Sequence, residues 1–166
     1  MFDRRGFLLA GAALGLSGCA SGPRIPPYDG PEVTRIVVVK QDRRMYLMHQ
    51  DEILEKYDVA LGFAPEGHKQ VEGDGKTPEG RYFINRRNYY SQFHLSLGIS
   101  YPNDVDRAEA RALGKSPGGD IFIHGQAGKN KGKPRDWTAG CISITDREVE
   151  QVWSMVRDGT AIDIFP

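Results

Sequence analysis

At 166 residues with 39% apolar side chains, the chain suits one domain with an ordinary hydrophobic core. Its 22 basic residues balance 22 acidic ones, so no net field recruits nucleic acid or anionic lipid, and no extended basic stripe marks a polyanion groove. Only two cysteines occur, Cys19 and Cys141, which excludes a multi-disulfide framework.

The N-terminus reads as an export signal over residues 1–18. Arg4 and Arg5 precede an apolar run at 7–16, and Leu16-Ser17-Gly18-Cys19 closes the segment with small residues. A helix over that run rises only about 15 Å, half a hydrocarbon core, so it does not read as a membrane span. Arg4-Arg5-Gly6-Phe7-Leu8 resembles a twin-arginine signal, except that Asp3 stands where Ser or Thr is usual, which leaves the export route open. Leu-Ser-Gly-Cys at 16–19 resembles the lipobox of bacterial lipoproteins, with Cys19 acylated after cleavage; the rival reading is a plain secretory signal. Ala20, rather than an aspartate, follows, which under the lipoprotein reading points to the outer membrane. Residues 19–32 then read as a lipidated flexible tether rich in Ser, Gly and Pro, and the domain occupies 33–166. With Cys19 in an anchor, Cys141 stays unpaired. A Cys19–Cys141 bridge is the alternative.

From residue 33 onward short strands dominate. The runs at 35–40 and 44–49 are separated by Gln41-Asp42-Arg43 and predict a hairpin. A third strand is expected at 52–61, followed by strands at 81–85, 93–97, 121–124, 141–144 and 160–165. Each is rich in β-branched or aromatic residues and bounded by Gly, Pro, Asn or Asp. Between them, 62–80 is a glycine-rich loop without periodicity, and loops of that length are uncommon unless they serve a site. Helices are predicted at 104–113 and after the capping box Thr145-Asp146-Arg147-Glu148, where Val149, Val152, Trp153 and Val156 share one face. The fold class is mainly β with minor α, a curved sheet or sandwich with one helix packed behind the Cys141 strand.

The chemistry concentrates where His124 leaves one apolar run and Cys141 begins another, a pattern that puts a base and a thiol at neighbouring strand ends. Only a few per cent of an ordinary thiol is ionised at neutral pH; a histidine beside it takes the proton, holds the anion as an imidazolium partner, and later protonates a leaving amine. Gly140 lets the amides of residues 139–141 converge on an oxyanion. No carboxylate neighbours His124 in sequence, so a backbone carbonyl near Gly125 is the expected orienting group. A buried structural cysteine and a strand-end histidine remain the bland reading of the same residues. His49, His68, His94 and His124 are scattered without zinc spacing. Lys129, Lys131, Lys133 and Arg135 charge the loop before Cys141, which suits either a carboxylate-bearing substrate or a solvated connector.

Several ordered motifs add a family resemblance: GHKQ (67–70), EGDGKTPEG (72–80), FHLSLGISYPN (93–103), GGDIFIHG (118–125) and TAGCIS (138–143). Together they resemble the L,D-transpeptidase catalytic domain, the YkuD-like family of bacterial cell-wall enzymes, over nearly all of 33–166. The resemblance implies a peptidoglycan stem-peptide substrate, Cys141 as nucleophile, His124 as general base and acid, and the Gly125 carbonyl as its orienter. It further implies an oxyanion hole at the amides of Ala139, Gly140 and Cys141. Trp137, His94, Ser143 and His68 become candidates for substrate contact, and no metal or other cofactor is implied, because the scissile amide supplies the energy. The thiolate would attack the L-centre carbonyl of stem residue three, release D-Ala, and pass the acyl group to an amine, forming a 3→3 cross-link or attaching a wall-linked protein. An L,D-carboxypeptidase or amidase, with water as acceptor, and a non-catalytic wall-binding lipoprotein are the rival functions. The chain departs from the family pattern at Ala139, where many members carry His, and at Ser143, where many carry Arg or Asn; the second departure puts acceptor preference in doubt.

Overall fold

The computed structural model describes residues 22–166, so the expected signal segment and the acylation candidate Cys19 lie outside the described residues. Three antiparallel strands open the domain: β1 (Arg35–Val39), β2 (Arg44–His49) and β3 (Glu52–Asp58). In β1 and β2 alternate residues point inward, burying Ile36, Val38, Met45 and Leu47, as a period of two requires. The expected third strand stops short at Asp58, and the residues after it have a different task, described below.

β4 (Gly80–Ser91) is the hinge of the architecture, and it is far longer than the 81–85 predicted. Its first part pairs with β8 (Ala161–Phe165), and from Ile84 onward it pairs with β5 (His94–Ile99), with irregular register between Ile84 and Arg86. That irregularity bends one strand into two halves of a curved sheet. Residues 86–91 carry no inward apolar alternation, which hid the extension. Their polar side chains are held sideways instead, with the Arg86 guanidinium 4.5 Å from the Phe122 ring centre and that of Arg87 4.9 Å from Trp153.

β6 (Phe122–His124) pairs antiparallel with β5 and parallel with β7 (Ile142–Ser143), giving the sheet order β3-β2-β1-β8-β4-β5-β6-β7. The chain leaving β3 then crosses to the far edge. Ala60 and Ser143 exchange backbone hydrogen bonds of 2.9 and 2.8 Å, so the outermost strands are tied together rather than left open.

Two helices complete the domain. α1 (Asp104–Ala112) begins at an Asn103 capping box with Asp106 as its reciprocal partner. α2 (Asp146–Met155) begins at the Thr145–Glu148 box expected from sequence, and packs on β5 and β6. Val149 and Val152 are fully buried at that contact; each burial is worth about 1.5–3 kcal/mol relative to exposure. The fold is therefore mainly β with a curved mixed sheet, as expected. Residues 22–32, expected as flexible tether, touch the domain at several points: the Arg24 amide donates to Glu150 at 2.6 Å, Tyr28 packs partly against the core, and Glu32 meets His49 through its carbonyl at 2.8 Å and Arg157 through its carboxylate at 3.5 Å.

Candidate active site

Parallel pairing of β6 with β7 sets the geometry, because Ile123 faces Ile142 and His124 faces Ser143. Cys141 therefore stands at the N-terminal end of β7, while His124 stands at the C-terminal end of the neighbouring β6. Both line a cavity of about 340 Å³ together with Phe93, Trp137, Lys129 and Lys133. Cys141 carries a free thiol among the described residues.

His124 is 3% exposed, and its Nδ1 lies 2.6 Å from the Gly125 carbonyl. A carbonyl can only accept, so Nδ1 carries the proton and Nε2 keeps its lone pair. Phe93 stacks on the imidazole at 4.4 Å and Trp137 meets it edge-on at 5.8 Å. Burial pushes the imidazole below its ordinary range, with the Gly125 hydrogen bond opposing. Gly125 has no room for a side chain: a Cβ would lie 2.6 Å from Asp146 Oδ1 and 2.7 Å from the Phe93 carbonyl. Asp146, in the first turn of α2, also accepts from the amides of Gln126 and Ala127 and so fixes the turn that follows the histidine.

The thiol donates to the Asp120 carbonyl at 3.4 Å rather than to His124. Burial raises its pKa; the Phe122 amide opposes this, the Asp120 carboxylate adds to it, and Lys69 offsets it slightly. Burial thus pushes both groups toward their neutral forms at rest, against the direction of the expected thiolate–imidazolium couple.

The turn before Cys141 is held from two directions. Gly140 has φ +134°, and a Cβ there would stand 2.6 Å from the Lys76 carbonyl, so only glycine fits. The Gly140 amide donates to Thr138 Oγ1 at 3.1 Å, and that hydroxyl donates to the Cys141 carbonyl at 2.7 Å. Of the three amides expected to form an oxyanion hole, Gly140 is therefore engaged, while those of Ala139 and Cys141 make no hydrogen bond among the described residues. Thr138 is itself tied to the chain beyond β3, donating to the Leu61 carbonyl and accepting from the Phe63 amide.

Loop 62–80 supplies the rest of the support. Asp74 accepts from Lys69 at 2.9 Å and from the amides of Gln70, Val71 and Lys76 at 2.8–3.0 Å. Burial alone would raise its pKa, but Lys69 and the three amides outweigh that and hold it at about 2. The glycine-rich run is thus a braced turn that presents the Lys76 carbonyl to Gly140.

Among the other sequence candidates, Trp137 lines the cavity. Ser143 is 1% exposed, its hydroxyl has no partner among the described residues, and it borders a neighbouring cavity of about 420 Å³. The other two candidate histidines, His68 and His94, do not line the Cys141 cavity. His68 accepts from the Glu79 amide at 2.9 Å through Nδ1 and faces Asp106 at 3.2 Å through Nε2, which ties the loop to α1. His94 faces Glu150 of α2 at 2.8 Å. Sequence reading gave no role to Thr138, Asp120, Asp146 or Phe93, although all four stood inside motifs it singled out; the first three act through or upon backbone atoms, which side-chain chemistry in a motif does not reveal. No group of three His, Cys, Asp or Glu among the described residues is arranged to hold a metal ion.

With this geometry in place, the comparisons with known proteins are specific. Residues 33–164 match the family profile of the YkuD L,D-transpeptidase catalytic domain. The chain belongs to that family. It is 26% identical over 127 residues to an Escherichia coli K12 protein named "Putative L,D-transpeptidase YafK", covering 73% of this chain and 46% of that one. The helical cell shape determining protein Pgp2 of Campylobacter jejuni superposes with a TM-score of 0.60 at 25% identity, over 87% of this chain and 51% of Pgp2. An L,D-transpeptidase from Mycobacterium smegmatis shares the fold alone, with a TM-score of 0.54 at 13% identity over 81% of this chain and 59% of that one. The chain thus spans about half the length of the curated relative and of Pgp2.

Proposed function

We propose that this domain is a cysteine-dependent L,D-transpeptidase in which Cys141 is the nucleophile and His124 the base. The observation that carries the reading is a single cavity lined by a free thiol and an imidazole, with Nδ1 fixed on Gly125 and Nε2 left to accept. A stem peptide entering the cavity draws the thiol from the Asp120 carbonyl toward Nε2. Sγ attacks the carbonyl of the L-centre of residue three as Nε2 takes its proton, so the charged pair forms only during reaction. The amides of Ala139 and Cys141 receive the oxyanion, and Gly140 joins them only by releasing Thr138. Collapse breaks the C–N bond, the imidazolium protonates the departing D-Ala amine, and a thioester remains on Cys141. An acceptor amine then attacks the thioester, gives its proton to Nε2, and leaves as a new amide while the thiol is restored.

Disaccharide-tetrapeptides incubated with the domain and analysed by mass spectrometry test this, with Cys141→Ala as control. Cross-linked dimer dependent on Cys141 is the expected result. Tripeptide alone would make water the acceptor and the protein an L,D-carboxypeptidase. Absence of any product under conditions where the domain is folded would leave a wall-binding lipoprotein. We further propose export and lipid anchoring at Cys19, on the strength of Leu16-Ser17-Gly18-Cys19; metabolic labelling with an alkyne fatty acid, lost in Cys19→Ala, checks it.

A further inference from the structure

We propose that Lys129 and Lys133 make this site selective for stem peptides whose side carboxylates are free, against stems in which those carboxylates are amidated. The inference rests on the acyl-transfer reading of the cavity and names which form of the substrate class it takes. Loop 126–136 carries Lys129, Lys131, Lys133 and Arg135, all exposed, and none has a carboxylate within ion-pair distance among the described residues. The only acid in the loop, Asp136, is consumed by Arg43 at 2.8 Å and by the Leu61 amide. This is a local excess in a chain whose charges balance overall.

Two of the four cations line the cavity, and both are placed by aromatic rings. Lys129 Nζ lies 5.4 Å from the centre of Phe93 and Lys133 Nζ lies 5.2 Å from that of Trp137. Phe93 and Trp137 are the two rings that flank the His124 imidazole, so each ammonium stands one ring away from the base. A ring face positions a cation without neutralising it, and leaves its N–H donors for another partner. Lys129 uses one donor on Gln92 at 3.3 Å. Two cations without carboxylate partners, lining the cavity that holds the thiol and the imidazole, favour a ligand that carries carboxylates.

A stem peptide supplies such charges when unmodified. The γ-linked D-glutamate at position two keeps an α-carboxylate, and a diaminopimelate at position three keeps a second carboxylate on its side chain. Amidation, or a lysine at position three, removes one or both. Lys133 also lines the adjoining cavity of about 420 Å³, where Arg135 and the carboxylates of Asp58 and Glu148 join it; the purely cationic lining is confined to the cavity of the thiol.

The test measures binding to the Cys141→Ala protein by calorimetry and turnover by the unaltered protein, using tetrapeptide donors with free or amidated carboxylates. The free acid should bind about tenfold more tightly than the amide, the size of one charge-assisted contact. That preference should shrink to less than about threefold in Lys129→Met/Lys133→Met, or in about 0.5 M salt, where exposed charges are screened. Methionine retains a hydrocarbon stem over each ring, and Lys131→Met, on the same loop but outside the cavity, should leave the preference intact. Equal affinity for both donors, or a preference that survives the double substitution, overturns the proposal. Selective binding without turnover upholds it while overturning the catalytic reading, and binding of neither donor overturns both.

Discussion

Two loops converge on Cys141, and they handle charge in contrary ways. Loop 62–80 pairs its buried groups: Asp74 satisfies one lysine and three amides, Glu79 and two carbonyls of the loop take buried Lys40, and His68 is engaged at both nitrogens. Loop 126–136 leaves its cations exposed, without carboxylate partners among the described residues, and leans two of them on rings. The first loop spends its polar groups on holding the turn that carries Gly140 and Cys141. The second keeps its groups for whatever enters. Loop composition alone does not separate these roles; partner satisfaction does.

The largest effect expected from this contrast is at Asp74. Asp74→Ala strips the buried Lys69 ammonium of its counter-charge, at a cost of about 3–5 kcal/mol in denaturant unfolding. The same carboxylate gives an acid limit. Its folded pKa of about 2 lies below the ordinary value near 3.9, so its contribution is present above that value and is lost as pH falls toward 2. If Asp74→Ala unfolds at the wild-type denaturant concentration, loop 62–80 is not a brace. Next in size is Gly140→Ala, which forces a Cβ onto the Lys76 carbonyl at positive φ and should cost about 1–3 kcal/mol. Because it displaces the thiol turn, its acylation rate should fall by more than its stability loss explains; a parallel loss of both would separate the brace from the site.

How much of this was legible from sequence depends on whether an interaction is local. The capping box at Thr145–Glu148 and the alternation in β1 and β2 are short-range patterns, and the helix and hairpin stand where they were expected. His124 and Cys141 were readable as neighbours because each begins or ends an apolar run. The outer half of β4 was not, since Arg86 and Arg87 pack through guanidinium faces on distant rings rather than through apolar alternation. The contacts of His68 and His94 were not legible, because an imidazole in a motif gives no sign of its partner, and theirs lie far along the chain at Asp106 and Glu150. The direction in which the Cys141 and His124 pKa values move was invisible for a different reason: it follows from burial, which no spacing reveals.

Those two directions give a pH test of intermediate size. Alkylation of Cys141 by uncharged iodoacetamide should keep rising beyond about pH 8.5, the ordinary thiol value, because burial has raised this thiol. The acid limb of kcat/KM for the free protein should lie below about 6.5, because the base is His124 with a depressed pKa. An alkylation rate already flat at neutral pH would mean a preformed ion pair, with the positive loop acting on the thiol at rest rather than on the ligand.

The smallest effect is the most telling for loop 126–136. Lys133→Met removes an exposed cation whose attraction to Trp137 is worth about 0.5–1 kcal/mol at most, and it relieves repulsion from the neighbouring cations on the same loop. The two changes oppose each other, so the unfolding free energy should stay within about 0.5 kcal/mol of the unaltered protein. A loss well above 1 kcal/mol in denaturant titration would make Lys133 a structural clamp like Lys69 and erase the contrast between the loops. A change near zero means that the fold has no use for this charge. Whatever kcat/KM then loses with a carboxylate-rich donor is a loss of contact with the donor itself.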